Sequence, residues 1–124
     1  MPYIVSFDLS DRIVTVKVSG MLSHDDHLKV RNEALRLCQE EHCSKILVDL
    51  SELITTSSSV ANCFNFGKTF AMTSSNISVA HILPKDAKSK EDVRFVSTVG
   101  ANRGLIIKDF GTINEARKWL VEKT

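Results

Sequence analysis

Lys45-Ile46-Leu47-Val48-Asp49-Leu50-Ser51 packs four apolar residues into the five positions from Ile46 to Leu50. A strand with one wet face alternates apolar and polar side chains. This run does not alternate, so neither face would meet water, as in a parallel strand covered by helices on both sides. On its carboxyl side come Glu52-Leu53-Ile54, then five hydroxyl residues, Thr55-Thr56-Ser57-Ser58-Ser59, then a long apolar segment. A buried strand running into a hydroxyl-rich helix start predicts a loop at the carboxyl edge of a sheet, where open α/β sheets place their ligands.

Upstream, Tyr3, Val5 and Phe7 alternate with Ile4, Ser6 and Asp8, and Val14, Val16 and Val18 with Thr15, Lys17 and Ser19. Leu9-Ser10-Asp11-Arg12 between them has turn chemistry, so the two period-2 runs predict an antiparallel hairpin, ended by Gly20. Ser23-His24-Asp25-Asp26 fits a capping box. Beyond it Leu28, Val30, Ala34, Leu35, Leu37 and Cys38 share one half of a helical cylinder, and Lys29, Asn32, Glu33, Arg36, Gln39 and Glu40 the other.

Downstream, a second helix is expected from near Ser57 to about Met72. Its apolar residues, including Phe64, Phe66 and Phe70, cover well over half its circumference, wider than a helix needs to sit on a sheet. Either it is covered on a second side, or part of that face serves a partner or a ligand. Ile77, Val79, His81 and Leu83 form a strand ended by Pro84. Ser89-Lys90-Glu91-Asp92 matches a capping box for a helix that Gly104 stops. Leu105-Ile106-Ile107 is a short last strand, and Thr112-Ile113-Asn114-Glu115 caps a final helix packed through Ala116, Trp119 and Leu120. The expected order is β-β-α-β-α-β-α-β-α: one α/β domain, residues 1–124, with a mixed five-stranded sheet and four main helices.

The totals set bounds. A chain of 124 residues fits one domain and can bury enough surface to fold without metal or disulfide. A formal net charge of +1 gives no basic surplus for nucleic acid. No apolar run approaches the roughly 20 residues of a membrane helix, so no membrane insertion is expected. Cys38, Cys43 and Cys63 are odd in number with no Cys-x-x-Cys, and Met1-Pro2-Tyr3 runs straight into a strand pattern without a signal-peptide start. A cytoplasmic protein with reduced thiols is expected.

A hairpin followed by three right-handed β-α-β crossovers resembles the STAS domain of the sporulation anti-sigma-factor antagonists. It is more closely similar to the small bacterial STAS-like proteins grouped under a SEC14-type lipid-carrier name. The resemblance is carried by Val16-Lys17-Val18-Ser19-Gly20-Met21-Leu22-Ser23-His24-Asp25-Asp26, by Ile46-Leu47-Val48-Asp49-Leu50, and by the tail from Phe95 through Asn102-Arg103-Gly104 to Ala116-Arg117-Lys118-Trp119-Leu120. It implies a non-enzymatic regulatory or protein-interaction module, with a carrier or sensor of a small lipid-like ligand as the alternative. The antagonists carry a phosphorylatable serine within Asp-Ser-Ser-Gly. That stretch falls on Ser57-Ser58-Ser59-Val60, so the resemblance implies Ser58 as phosphoacceptor, with Ser57 in place of the acid and Val60 in place of the glycine.

The residues themselves leave alternatives. Thr55, Thr56, Ser57, Ser58 and Ser59 read as a helix cap with spare hydroxyls, or as an anion or partner loop joined by Lys85, Lys88 and Lys90 on the same edge. Phe64, Phe66 and Phe70 read as core, or as a contact surface for a second copy, a protein partner or a lipid-like ligand. His24 and His27 could hold a metal with Cys38 or His42, but read better as a first-turn polar residue and a rim residue beside Arg31; no metal and no cofactor are expected. His81 reads as a satisfied core histidine, and Asp49 as a strand-end hydrogen-bonding group. A set of Ser58, His81 and Asp49 lacks nucleophile-elbow glycines, so no catalytic residue is assigned.

Overall fold

A computed structural model describes residues 3–55, 60–74 and 76–123. The elements are β1 (Tyr3–Asp8), β2 (Ile13–Gly20), α1 (His24–Glu40), β3 (Lys45–Leu53), α2 (Val60–Thr73), β4 (Ser78–Ile82), α3 (Ala87–Asn102), β5 (Ile106–Phe110) and α4 (Ile113–Val121). The strands form one sheet in the order β1-β2-β3-β4-β5. β1 pairs antiparallel with β2, and the other neighbours are parallel. The expected α/β architecture and element order are therefore observed, with β3 as the middle strand.

Sequential addition of parallel strands in one direction, with crossovers of one hand, puts the connecting helices on one face. Val14, Val16 and Val18 of β2 and Ile46 and Leu50 of β3 accordingly cluster with Val30, Ala34 and Cys38 of α1, Phe70 of α2 and Val93 of α3. Ile13, Leu47, Ala80 and Ile82 point the other way, onto Ala116 and Leu120 of α4. This two-sided burial is why Ile46 to Leu50 shows no alternation. Asp49, the polar member, accepts the Ser51 amide at 3.0 Å.

The local signals act as expected at two of three helix starts. The Ser23 hydroxyl accepts the Asp26 amide at 3.1 Å, and the Thr112 hydroxyl the Glu115 amide at 3.3 Å. The third differs. α3 begins at Ala87, with Asp86 as cap, and Ser89 lies buried in its first turn. Asp86 offers the Ser89 amide a charged acceptor at 3.0 Å, which outcompetes a serine cap three residues later. The last strand also differs: it starts at Ile106 rather than Leu105 and runs on to Phe110. Gly20 and Gly104 hold the positive φ angles (71° and 92°) that end β2 and α3.

α2 packs mainly along α3. The close approach is made at Gly67, where a Cβ would lie 2.7 Å from the Val96 carbonyl oxygen. Leaning on α3 in this way, α2 roofs the sheet rather than lying flat on it.

Candidate functional site: a cavity beneath the second helix

Between α2 and the sheet lies a cavity of about 460 Å³. Val16, Val18, Ile46 and Val48 form its floor. Val30 and Ala34 of α1, Phe66 and Phe70 of α2, and Val93 and Val96 of α3 form its walls. β2 and β3 supply the floor because their alternate residues point toward the three-helix face. The wide apolar arc of α2 is thereby explained: one part meets α3 through Gly67 and the other faces the cavity.

Polar groups also line this space, among them His27, Arg31, Thr55, His81 and Asp92. Arg31 lies along the wall, its guanidinium 4.8 Å from the Phe66 ring centroid and 5.7 Å from that of Phe70. Its Nη1 donates to the Phe66 carbonyl oxygen at 3.1 Å and to the Thr69 hydroxyl at 2.7 Å, tying α1 to α2. Its Nε is buried without a partner. Burial pulls the Arg31 pKa below its usual value. His27 meets the edge of Phe66, with ring centroids 6.4 Å apart. Burial, helped by the field of His24, lowers its pKa.

His81 is 4% exposed and also lines the cavity. Its Nδ1 lies 3.1 Å from the Ser97 hydroxyl and 3.4 Å from Asp109 Oδ1. The Ser97 hydroxyl donates to Asp109 Oδ1 at 2.6 Å. That bond uses the only hydroxyl proton, so Nδ1 must carry the imidazole proton and donate. Burial works to raise the Asp109 pKa, but the bond and charge of His81, the Ser97 hydroxyl and the field of Arg94 together lower it. Serine and aspartate converge on one ring nitrogen, and Asp49 lies elsewhere. His81 is thus the satisfied core histidine expected, and its hydrogen-bond partners are Ser97 and Asp109 rather than Asp49; Ser58 lies outside the described residues.

At the carboxyl edge, the Thr55 amide donates to the Ser89 hydroxyl at 2.8 Å and the Thr55 hydroxyl to Asp92 Oδ2 at 2.7 Å. Lys88 pairs with Asp92 Oδ1 at 2.9 Å. The Lys85 amide donates to the Ser51 carbonyl at 3.2 Å. Thr55, Lys85 and Lys88 therefore gather where the parallel strands end, but the Lys88 charge is already met by Asp92. Lys90 is half-buried on the same helix. Thr56, Ser57, Ser58 and Ser59 lie outside the described residues, and with them the expected phosphoacceptor.

The three phenylalanines do not share an outer surface. Phe70 is 4% exposed and Phe66 faces the cavity. Phe64 points elsewhere, 4.8 Å beneath the Arg103 guanidinium. A spacing of two and four residues spreads them around a helix, which sets Phe64 against Arg103 at the carboxyl end of α3 while Phe66 and Phe70 face the cavity. Cys63 also lines the cavity, and burial pushes its thiol pKa up. Among the described residues, no group of three or more His, Cys, Asp or Glu is disposed to hold a metal. Nor is any helix among them long and apolar enough to cross a membrane. Sequence reasoning missed the cavity and the place of Arg31 on its wall. The excess apolar arc of α2 was the one available signal.

A mixed five-stranded sheet with three crossover helices on one face and a last helix on the other defines a SpoIIAA-like, that is STAS-like, α/β fold. Among solved structures the chain is similar to an uncharacterised protein of the DUF3478 family with a SpoIIAA-like fold from Shewanella loihica PV-4. The two are 17% identical, the match covers 95% of this chain and 91% of that one, and the TM-score is 0.60. At that identity the likeness shows the fold. No family model and no curated protein matches the chain.

Proposed function

We propose that this chain is a non-enzymatic STAS-like binding module that takes a small, largely apolar ligand in the cavity beneath α2, as a carrier or sensor. The cavity carries this reading. Its volume of about 460 Å³ falls within the range of roughly 300–1,000 Å³ seen for small-molecule sites, and its lining is mainly aliphatic and aromatic with several polar groups among them. The cavity opens to solvent, so an apolar occupant would displace water from its aliphatic and aromatic walls and gain contacts with them. The three cysteines are free, in keeping with a reducing cytoplasmic setting.

Native mass spectrometry of protein purified without detergent tests the reading, together with titration by a neutral naphthylamine fluorophore. The expected result is a retained small molecule released on denaturation, or saturable fluorophore binding to the emptied protein. A bare chain that does not take up the fluorophore would sink the proposal.

A further inference from the structure

We propose that the cavity's ligand is an amphipathic carboxylate, its head group held by Arg31 and its hydrocarbon laid against the apolar walls. This rests on the binding reading above and names the ligand's chemistry. Arg31 stays protonated in any protein setting. Its two hydrogen bonds go to a carbonyl and a hydroxyl, both neutral. It takes part in no ion pair among the described residues, and its Nε is buried with no partner. A half-buried cation without a counter-ion among the described residues, and with a buried orphan donor at Nε, is costly to keep. Asp92 is the carboxylate among the cavity-lining residues, and it is already engaged by Thr55 and Lys88. The charge of the lining is therefore lopsided: its anion is satisfied and its cation is open.

The geometry selects a carboxylate. Nη1 is committed to α2, which leaves the Nε and Nη2 side of the guanidinium, the pair of parallel donors that a carboxylate accepts bidentately. The Phe66 and Phe70 ring centroids lie 4.8 and 5.7 Å from the guanidinium carbon, so an alkyl chain that continues past the head group meets Phe70 and the valines of the floor. A neutral hydrocarbon would use the walls and leave Nε unpaired, and an alcohol would offer it a single uncharged acceptor.

Calorimetric titration of the wild-type chain with decanoate, decanol and decylammonium, each below its micellar concentration, is the test. Decanoate is expected to bind about tenfold or more tighter than decanol, the worth of one charge-assisted hydrogen bond, and decylammonium weakest. Arg31→Met keeps the stem and removes the charge; it should abolish the preference and still bind decanol. Decanol binding as tightly as decanoate to wild type would overturn the assignment and leave the cavity reading standing, since a water on Nε would then suffice. A preference that survives in Arg31→Met also overturns it. If none of the three binds while the fluorophore does, the carboxylate assignment falls and the cavity reading stands; if the fluorophore fails as well, both fall. The head-group comparison on wild type needs no variant, and decanol affinity in Arg31→Met reports whether its cavity is intact.

Discussion

Asp109 keeps its charge although its side chain is mostly covered, because His81 and Ser97 both turn a proton toward it. The sign of the consequence follows from linkage. Its folded pKa lies below the ordinary aspartate value of about 3.9. The unfolded chain therefore binds the proton first. The stability from Asp109 is complete above about pH 4 and is lost as pH falls through the depressed folded value. Asp109→Asn should cost about 1–3 kcal/mol near neutral pH, where a charged acceptor is replaced by a neutral one. Its melting temperature should then fall less steeply than wild type between pH 4 and pH 2, as differential scanning calorimetry would show. Asp8, held low by Arg117, and Asp86, held low by Ser89, keep their own slopes in both proteins. Parallel curves would mean that Asp109 does not carry the linkage. The chain marked His81 as a satisfied core histidine but not what satisfies it, since Ser97 and Asp109 are far from it in sequence; the parallel register of β4 with β5, which pairs His81 with Asp109, joins them.

At the scale of elements, the α2–α3 contact turns on two glycines that differ in what surrounds them. A Cβ at Gly67 would meet the Val96 carbonyl at 2.7 Å and Val99 Cβ at 3.0 Å. Backbone cannot swing aside, so the helices must part. The overpacking cost of about 1–3 kcal/mol exceeds the helix-propensity gain of up to about 1 kcal/mol. Gly67→Ala should therefore lower stability and disturb the cavity roof. At Gly100 the near neighbour is the Leu105 Cδ2 at 2.9 Å, the end of a flexible side chain. Gly100→Ala should stay within about 1 kcal/mol of wild type. Urea unfolding midpoints would rank the pair, and an equal or reversed order would show that the Gly67 contact does not set the helix spacing. The helices themselves were legible from their 3.6-residue periodicity and hydroxyl caps. The start of α3 was not, because Asp86 and Ser89 both offer a cap and only tertiary structure assigns Ser89 to the Thr55 amide.

At the scale of the molecule, the sheet is closed on one side and incompletely filled on the other. α4 sits tightly on Ile13, Leu47, Ala80 and Ile82, whereas the three-helix face keeps its cavity. Ala34 is buried on the cavity wall. Ala34→Leu would place new apolar surface in the void and should raise the stability of the ligand-free protein by about 1–2 kcal/mol. The same side chain should weaken decanol or fluorophore binding by competing for the space. A destabilised variant with unchanged binding would show that the space at Ala34 is not part of the ligand's volume.

The sequence by itself determined the element order, the hairpin, the parallel crossovers and β3 as the buried centre, because periodicity, caps and turn residues are local and each writes its own pattern. It also pointed to the carboxyl edge after Ile54, where Thr55 is anchored to α3. Only the tertiary structure decided that α2 leans on α3 through Gly67, that Phe66 and Phe70 look inward while Phe64 does not, and that Arg31 stands beside them with its Nε unpaired. A cavity is the space that several elements fail to fill together. No stretch of the chain encodes that volume alone, so it emerges only when the helices are set against the sheet.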